Sequence, residues 1–310
     1  VIDIPEALIA TQSKYNGAAG RAFLAALPGL AAEFLERWGL RRDGEALYGV
    51  CALVLPVVRV ADGRPAALKL QAVDAETAGE PLALRVWGEA SAGAASACAV
   101  ELLDHDPATG TMLLERLDGL RSLSGTADVR EAVRIIAELL AGLTAVRAPA
   151  GSGLRGLGEA AARMLAAAPG AVGLLADEEE RRLLADCAAA VREVAGEPGD
   201  RLLHWDLHFG NVLAGRGGPA GQGARWVAID PKPLAGDPGF ELFPALVNRF
   251  DAEAVGWRFD LMTEVLGLDR ARARAWTLGR VLQNACWGAE DGARRLVPEQ
   301  AEIARRLLGR

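Results

Sequence analysis

Lysine is nearly absent from this chain. Of 34 basic residues only Lys14, Lys69 and Lys232 are lysines, so a lysine inside an apolar strand pattern attracts notice. Histidine is as scarce, limited to His105, His204 and His208. The four cysteines, Cys51, Cys98, Cys187 and Cys286, are far apart and form no C-x-x-C pair. That excludes a disulfide framework and a zinc framework, and suits a reducing compartment. An excess of positive charge is also missing. A net charge of −7 and a pI near 5.2 argue against a nucleic-acid binder, which needs a basic face, and are compatible with a cationic small molecule. There is no run of about twenty apolar residues, so no membrane span is expected. The opening "VIDIPEALIATQSKYNG" has no basic region leading into an apolar core, so it is not read as a signal peptide. The expectation is a cytoplasmic protein, and a monomer. No internal repeat occurs, and the segment "GVCALVLPVVR" holds no G-x-G-x-x-G.

What is present is a globular composition. The chain has 310 residues, 51% hydrophobic and 24% charged, enough for two domains or one two-lobed unit with a sizeable core. Residues 6–38 show helical spacing, with Pro28-Gly29 predicted as a break. Residues 46–60 and 66–72 read as strands around the "ADGRP" turn. Residues 74–90 read as a helix. "CAVELLDH" and "TMLLERL" then flank the turn "DPATG". Beyond 117–125 the pattern becomes helical: 127–147, 156–168, 177–195, 239–248, 252–267, 269–290 and 298–308. Two short strands, 212–215 and 225–230, interrupt it around the Gly-rich "RGGPAGQGA".

The scarce polar chemistry gathers in "LLHWDLHFGNVL", residues 202–213. His204, Asp206 and His208 alternate, so an extended segment would turn all three to one face as metal ligands. The remaining histidine, His105, lies beside a distant turn, which leaves such a site short of ligands. The spacing H-x-D-x-x-x-x-N offers phosphoryl transfer instead. Asp206 would lie within reach of an attacking hydroxyl. Asn211, past a sharp turn at Gly210, would present an amide oxygen to magnesium, and His204 would brace the loop. Asp230 ends the strand "WVAID" 19 residues after Asn211, which fits a hairpin that returns a second carboxylate to the metal. A third reading treats Asp206, Asn211 and Asp230 as ordinary turn formers.

Under the phosphoryl-transfer reading the preceding strands should hold the nucleotide. Lys69 in "PAALKLQ" is the lysine available, and a charge in an apolar strand needs a partner. Glu80 is the first candidate and Glu76 the alternative. An edge-strand, solvated Lys69 is the bland reading. "GVCALVLPVVR" would cover the phosphates, although Gly49 is its lone glycine. "LLERLDG", with Glu115 and Leu117, falls where a hinge would offer backbone groups to a base.

Together with "WVAIDPKPLAGDPGFEL", the loop resembles the aminoglycoside phosphotransferases. "LMTEVLGLDRARARAWTLGRVLQNACW" points to the streptomycin 6-kinase and hydroxyurea kinase branch, and the resemblance covers about residues 40–290. It implies an α+β, protein-kinase-like two-lobed fold. A small β-rich N-lobe with an N-terminal helix region would occupy 1–117, and a large, mainly helical C-lobe 118–310. It implies ATP or GTP as donor and Mg2+ as cofactor, with Asp206 as base and Asn211 and Asp230 as metal ligands. Lys69 would hold the α- and β-phosphates, with Glu80 orienting it. Asp237 in "GDP" would cap the helix starting near Phe240. Phe240 follows Asp230 by only ten positions, too few for a peptide platform, which favours a small acceptor. The implied activity is transfer of a γ-phosphoryl group to a hydroxyl of a cationic antibiotic, first of all the 6-hydroxyl of streptomycin. The alternatives are hydroxyurea or another small hydroxyl compound, and a non-catalytic nucleotide-binding module. Neither nucleic acid nor membrane is an expected partner. For the acceptor the candidates are Glu241, Trp287, Glu290 and Asp291, because a polycation should meet carboxylates and aromatic faces.

Overall fold

The computed structural model describes residues 2–49, 51–91, 97–216 and 225–310. Two compact units result. The first comprises 1–121 together with 213–227, which a linear division at 117/118 assigns to the second. The second comprises 122–212 and 228–310. Val50, in the segment expected to cover phosphates, and 217–224, most of the Gly-rich stretch, lie outside the described residues.

The first unit is built on a six-stranded antiparallel sheet. Helix α1 (Glu6–Arg37) is followed by β1 (Leu40–Arg42), β2 (Leu47–Tyr48), β3 (Ala52–Arg59), β4 (Pro65–Gln71), α2 (Glu80–Ala90), β5 (Leu102–His105), β6 (Met112–Glu115) and β7 (Leu117–Ser122). The sheet order is β1-β3-β4-β6-β5, with β2 on β3. Strand β4 therefore lies centrally, pairing Lys69 with Val54 on one side and Met112 on the other.

Three expectations change here. The helix α1 runs through Pro28 and kinks instead at Gly17, where φ is 50°. A proline inside a helix costs about 3 kcal/mol. Burying Leu27, Ala31 and Phe34 completely against Leu53, Leu55 and Leu68 returns roughly 1.5–3 kcal/mol for each large side chain, so packing wins. The sequence reading of apolar runs gains one qualification: Asn16–Arg37, though broken by Arg21 and Glu33, is long and apolar enough to cross a membrane by length and composition alone, and it packs those three residues in the sheet core. Finally, residues 74–79 form a turn rather than helix. Asp74 Oδ1 accepts from the amides of Glu76 (2.7 Å) and Thr77 (2.9 Å), a local bond that competes with helix formation, and α2 begins only at Glu80.

The second unit is mainly helical, with α3 (Val129–Thr144), β8 (Arg155–Gly156), α4 (Leu157–Leu174), α5 (Glu178–Val194) and β9 (Arg201–Leu203) before the loop of interest. The chain then contributes β10 (Val212–Gly215) and β11 (Trp226–Ala228) to the first unit, where they join β7 in a three-stranded sheet. It returns as β12 (Leu234–Gly236), α6 (Phe243–Val247), α7 (Val255–Leu266), α8 (Arg270–Glu290) and α9 (Pro298–Leu308). Asp128, Asp177 and Asp269 cap α3, α5 and α8 by accepting first-turn amides, as short polar side chains do at helix starts. The helix expected over 239–248 is a short turn, 238–241, followed by the five residues of α6.

A small sheet fixes the start of the loop. Strand β12 pairs parallel with β8 and antiparallel with β9, Leu234 facing both Arg155 and Leu203. Leu202 and Leu203 are fully buried, which anchors the chain immediately before His204.

Gly110 closes the turn "DPATG" at φ 71°, and a Cβ there would lie 2.3 Å from Val73 Cγ2. Gly110→Ala is therefore expected to destabilise the protein by about 1–3 kcal/mol. Urea unfolding against the wild type measures this, and an unchanged midpoint contradicts it.

Candidate active site

The loop 204–211 is knotted by hydrogen bonds to a segment some twenty-five residues later in the chain. Imidazole Nε2 of His204 lies 3.0 Å from Ile229 O, and Nδ1 accepts the Asp206 amide at 3.3 Å. That pattern requires the neutral ring with the proton on Nε2. Burial pushes the His204 pKa down to about 4, which keeps it neutral. The amide of Ile229 donates to Asn211 O (2.9 Å), and that of Lys232 to His204 O (3.0 Å). Asn211 Nδ2 donates to Asp206 O at 2.9 Å. So Asp206, Asn211 and the 229–232 segment carrying Asp230 are brought together.

The backbone is strained on both sides of the knot. Trp205 has φ 68° and Asp230 φ 59°, left-handed conformations that a tryptophan rarely adopts. The Trp205 indole is held by guanidinium groups, Arg155 at 4.2 Å and Arg280 at 5.0 Å from its ring centre. Below the loop Glu241 is completely buried, and both its carboxylate oxygens lie 3.0 Å from the Trp205 amide. Burial raises its pKa to about 7. This corrects one acceptor candidate: with no exposed surface, Glu241 braces the loop and does not meet a substrate.

The metal-ligand reading of the histidines also fails. Both ring nitrogens of His204 are committed to backbone groups, and His208 Nδ1 accepts the Gly210 amide at 3.0 Å. Among the described residues no group of three or more His, Cys, Asp or Glu is arranged to hold a metal ion. What could hold one is a pair of hard oxygens, the Asn211 amide oxygen and the Asp230 carboxylate. Neither sulfur nor imidazole belongs to this pair, which suits magnesium completed by phosphate and water oxygens.

Asp237 caps the short turn 238–241. Its Oδ1 accepts the Gly239 amide (2.8 Å) and its Oδ2 accepts Arg272 Nε (2.6 Å). Of the remaining acceptor candidates, Trp287 and Glu290 line a pocket in the second unit with Arg155, Arg163, Trp205 and Gln283. Trp287 stands 6.2 Å from Trp205, ring centre to ring centre. Asp291 is not part of that lining; it ends α8, its amide bonding to Trp287 O.

In the first unit Lys69 is no edge residue. Its Nζ lies 2.7 and 2.8 Å from the two oxygens of Glu80, and Gln71 Nε2 donates to Glu80 Oε2 at 2.7 Å. Lys69 and Glu80 are 4% and 1% exposed. Glu76 sits in the turn before α2, which leaves Glu80 as the partner. Glu115 commits its amide to Glu101 O at 3.0 Å and its carboxylate to Arg225 Nη2 at 2.7 and 2.8 Å. Leu117 opens β7 and is buried.

A buried lysine–glutamate pair on a central strand and helix start, with a carboxylate loop braced by neutral histidine, defines a phosphotransferase of the protein-kinase-like fold. More specifically, the chain belongs to the aminoglycoside/hydroxyurea antibiotic resistance kinase family, whose sequence signature spans residues 37–292. It is 62% identical to a hydroxyurea phosphotransferase of Kitasatospora aureofaciens, over 100% of this chain and 87% of the relative. It is 50% identical to a streptomycin 6-kinase of Streptomyces glaucescens, over 100% and 98% of the two. Among solved structures, the GDP complex of aminoglycoside 2'-phosphotransferase-IIIa superposes with a TM-score of 0.59 at 12% identity. That match covers 91% of this chain and 98% of the other, which establishes the fold.

Sequence reasoning passed over Lys232, whose Nζ lies 3.2 Å from Asp206 Oδ2. Its signal was available: it is one of three lysines in the chain.

Two expectations follow. Removing one member of a buried ion pair costs about 3–5 kcal/mol, while replacing both by apolar residues is often near neutral. Lys69→Ala should destabilise by that amount, and Lys69→Met/Glu80→Met should recover most of the stability yet lose turnover. Denaturation midpoints and rates on the same samples test this. The second concerns Glu241. Its folded pKa, about 7, exceeds the ordinary glutamate value of 4.5, so the folded state binds the extra proton between these values. Stability should fall as pH rises across that window. Glu241→Gln should flatten the dependence, read as melting temperature against pH; an unaltered slope contradicts the assignment.

Proposed function

We propose that the protein transfers the γ-phosphoryl group of ATP, or GTP, to a hydroxyl of streptomycin, the 6-hydroxyl first, with resistance as the outcome. The observation that carries this reading is the single knot that holds Asp206, Asn211 and the Asp230 segment on one hydrogen-bonded frame.

In this reading Asp206 accepts the hydroxyl proton as the acceptor oxygen forms its bond to phosphorus. The bond from that phosphorus to the bridging oxygen breaks in line, and the nucleoside diphosphate leaves. Asn211 and Asp230 would hold magnesium, which neutralises phosphate charge when bound. Lys69, oriented by Glu80, binds the α- and β-phosphates. Preorganised charge of this kind supplies most of the rate in phosphoryl transfer. The N-lobe, 1–117, serves the nucleotide, with the 115–117 hinge offering backbone groups to its base. The C-lobe, 118–310, serves the acceptor. His204 and Asp237 act as braces. Trp287 and Glu290 supply an aromatic face and a carboxylate for a cationic acceptor; Asp291 adds charge at the end of the same helix. We place the enzyme in the cytoplasm as a monomer, in keeping with four widely spaced cysteines that form no C-x-x-C pair.

A second reading takes hydroxyurea as acceptor. The 62% identity to a hydroxyurea phosphotransferase favours it, and so do Arg155 and Arg163 in the pocket wall, which repel a polycation.

Asp206→Asn tests the catalytic reading. Turnover should fall by at least about 10²-fold, the scale of general-base removal, with nucleotide binding retained. Wild-type turnover in this variant would overturn the role of Asp206. Comparing kcat/KM for streptomycin and hydroxyurea decides the acceptor.

A further inference from the structure

We propose that Lys232 is a second cationic catalytic residue, which holds Asp206 at rest and turns its ammonium to the transferred phosphoryl group during reaction. The inference rests on the reading of Asp206 given above.

The contact itself is Nζ to Asp206 Oδ2 at 3.2 Å, with the two side chains 34% and 28% exposed. A partly exposed ion pair of this kind contributes only about 0–1 kcal/mol to stability, so stability does not explain it. Its placement is nevertheless tightly controlled. Lys232 stands between Pro231 and Pro233, whose rings fix the backbone. It is the one residue of the three with an amide hydrogen, and that hydrogen is bonded to His204 O at 3.0 Å. The stem of Lys232 is thereby tied to the loop that carries Asp206, while the ammonium extends over its carboxylate.

The choice of residue matters as much as the place. This chain uses arginine for nearly all its positive charge, and Lys232 is one of three exceptions in 34 basic residues. An arginine beside Asp206 would form a two-pronged fork with the carboxylate and lock it. A lysine ammonium is a compact charge with three donors on a flexible stem. It can keep one contact with Asp206 and present another donor to a phosphoryl oxygen. An acceptor hydroxyl bonded to Asp206 and attacking phosphorus necessarily brings those oxygens within the span of this side chain. In the step the acceptor O–P bond forms and the bond to the bridging oxygen breaks. The hydroxyl proton passes to Asp206, and Lys232 stays protonated throughout, offsetting charge on the transferred group.

The experiment compares Lys232→Ala, Lys232→Met and Asp206→Asn in the full chain, with either acceptor. The expected result for both lysine variants is a kcat lower by about 10²- to 10³-fold, the effect of deleting one preorganised donor. Nucleotide affinity and melting temperature should match the wild type, and added ethylamine should restore part of the rate in Lys232→Ala. Lys232→Met keeps the stem and so preserves the test if the alanine variant is unstable. Wild-type kcat in both lysine variants, with Asp206→Asn inactive, overturns the role of Lys232 alone. A loss that ethylamine leaves untouched and that accompanies a lowered melting temperature also overturns it, as a structural effect. Wild-type turnover in Asp206→Asn would instead remove the reading on which the inference stands.

Discussion

A neutral imidazole carries the architecture of the site. His204 must donate from Nε2 to Ile229 O and accept at Nδ1 from the Asp206 amide, and only one tautomer of the uncharged ring does both. Burial supplies the condition by pushing its pKa to about 4. From this follow the approach of 204–211 to 229–232, the left-handed turns at Trp205 and Asp230, and the reach of Lys232 to Asp206. The buried Glu241 beneath the Trp205 amide supports the same frame. Strain held at such positions is characteristic of functional sites.

The chain accepts electrostatic costs at the site that its core does not demand. Lys69 on β4 and Glu80 at the start of α2 are buried together, next to strands that carry the buried Leu53, Leu55, Leu68 and Leu70. Apolar residues would fill that space with no desolvation penalty. Retaining an ion pair there fits the role proposed for Lys69, a fixed charge presented to phosphates. The same logic separates the two carboxylates near the loop. Glu241 is sealed and structural, whereas Asp206 keeps 28% of its side chain exposed.

Much of this was legible in the sequence because local chemistry dictates it. The spacing from His204 to Asn211 and the apolar strand around Lys69 each act within a few residues. What was not legible depends on distant packing. The passage of α1 through Pro28 depends on contacts with the sheet, and the burial of Glu241 depends on the loop folding over it. The turn at 74–79 is a different case, since Asp74 and Thr77 carry turn chemistry that the apolar spacing of 74–90 masked. The three-stranded β8-β12-β9 sheet has strands of two or three residues, too short for any periodicity.

The central claim is that this frame moves a phosphoryl group from a nucleotide to a small hydroxyl compound. The most direct measurement incubates the purified chain with ATP, magnesium and either streptomycin or hydroxyurea, and weighs the acceptor by mass spectrometry. One of the two should gain a single phosphoryl group, with release of ADP in equal amount. Bound nucleotide with no mass gain on either acceptor would contradict it and leave a nucleotide-binding module in its place.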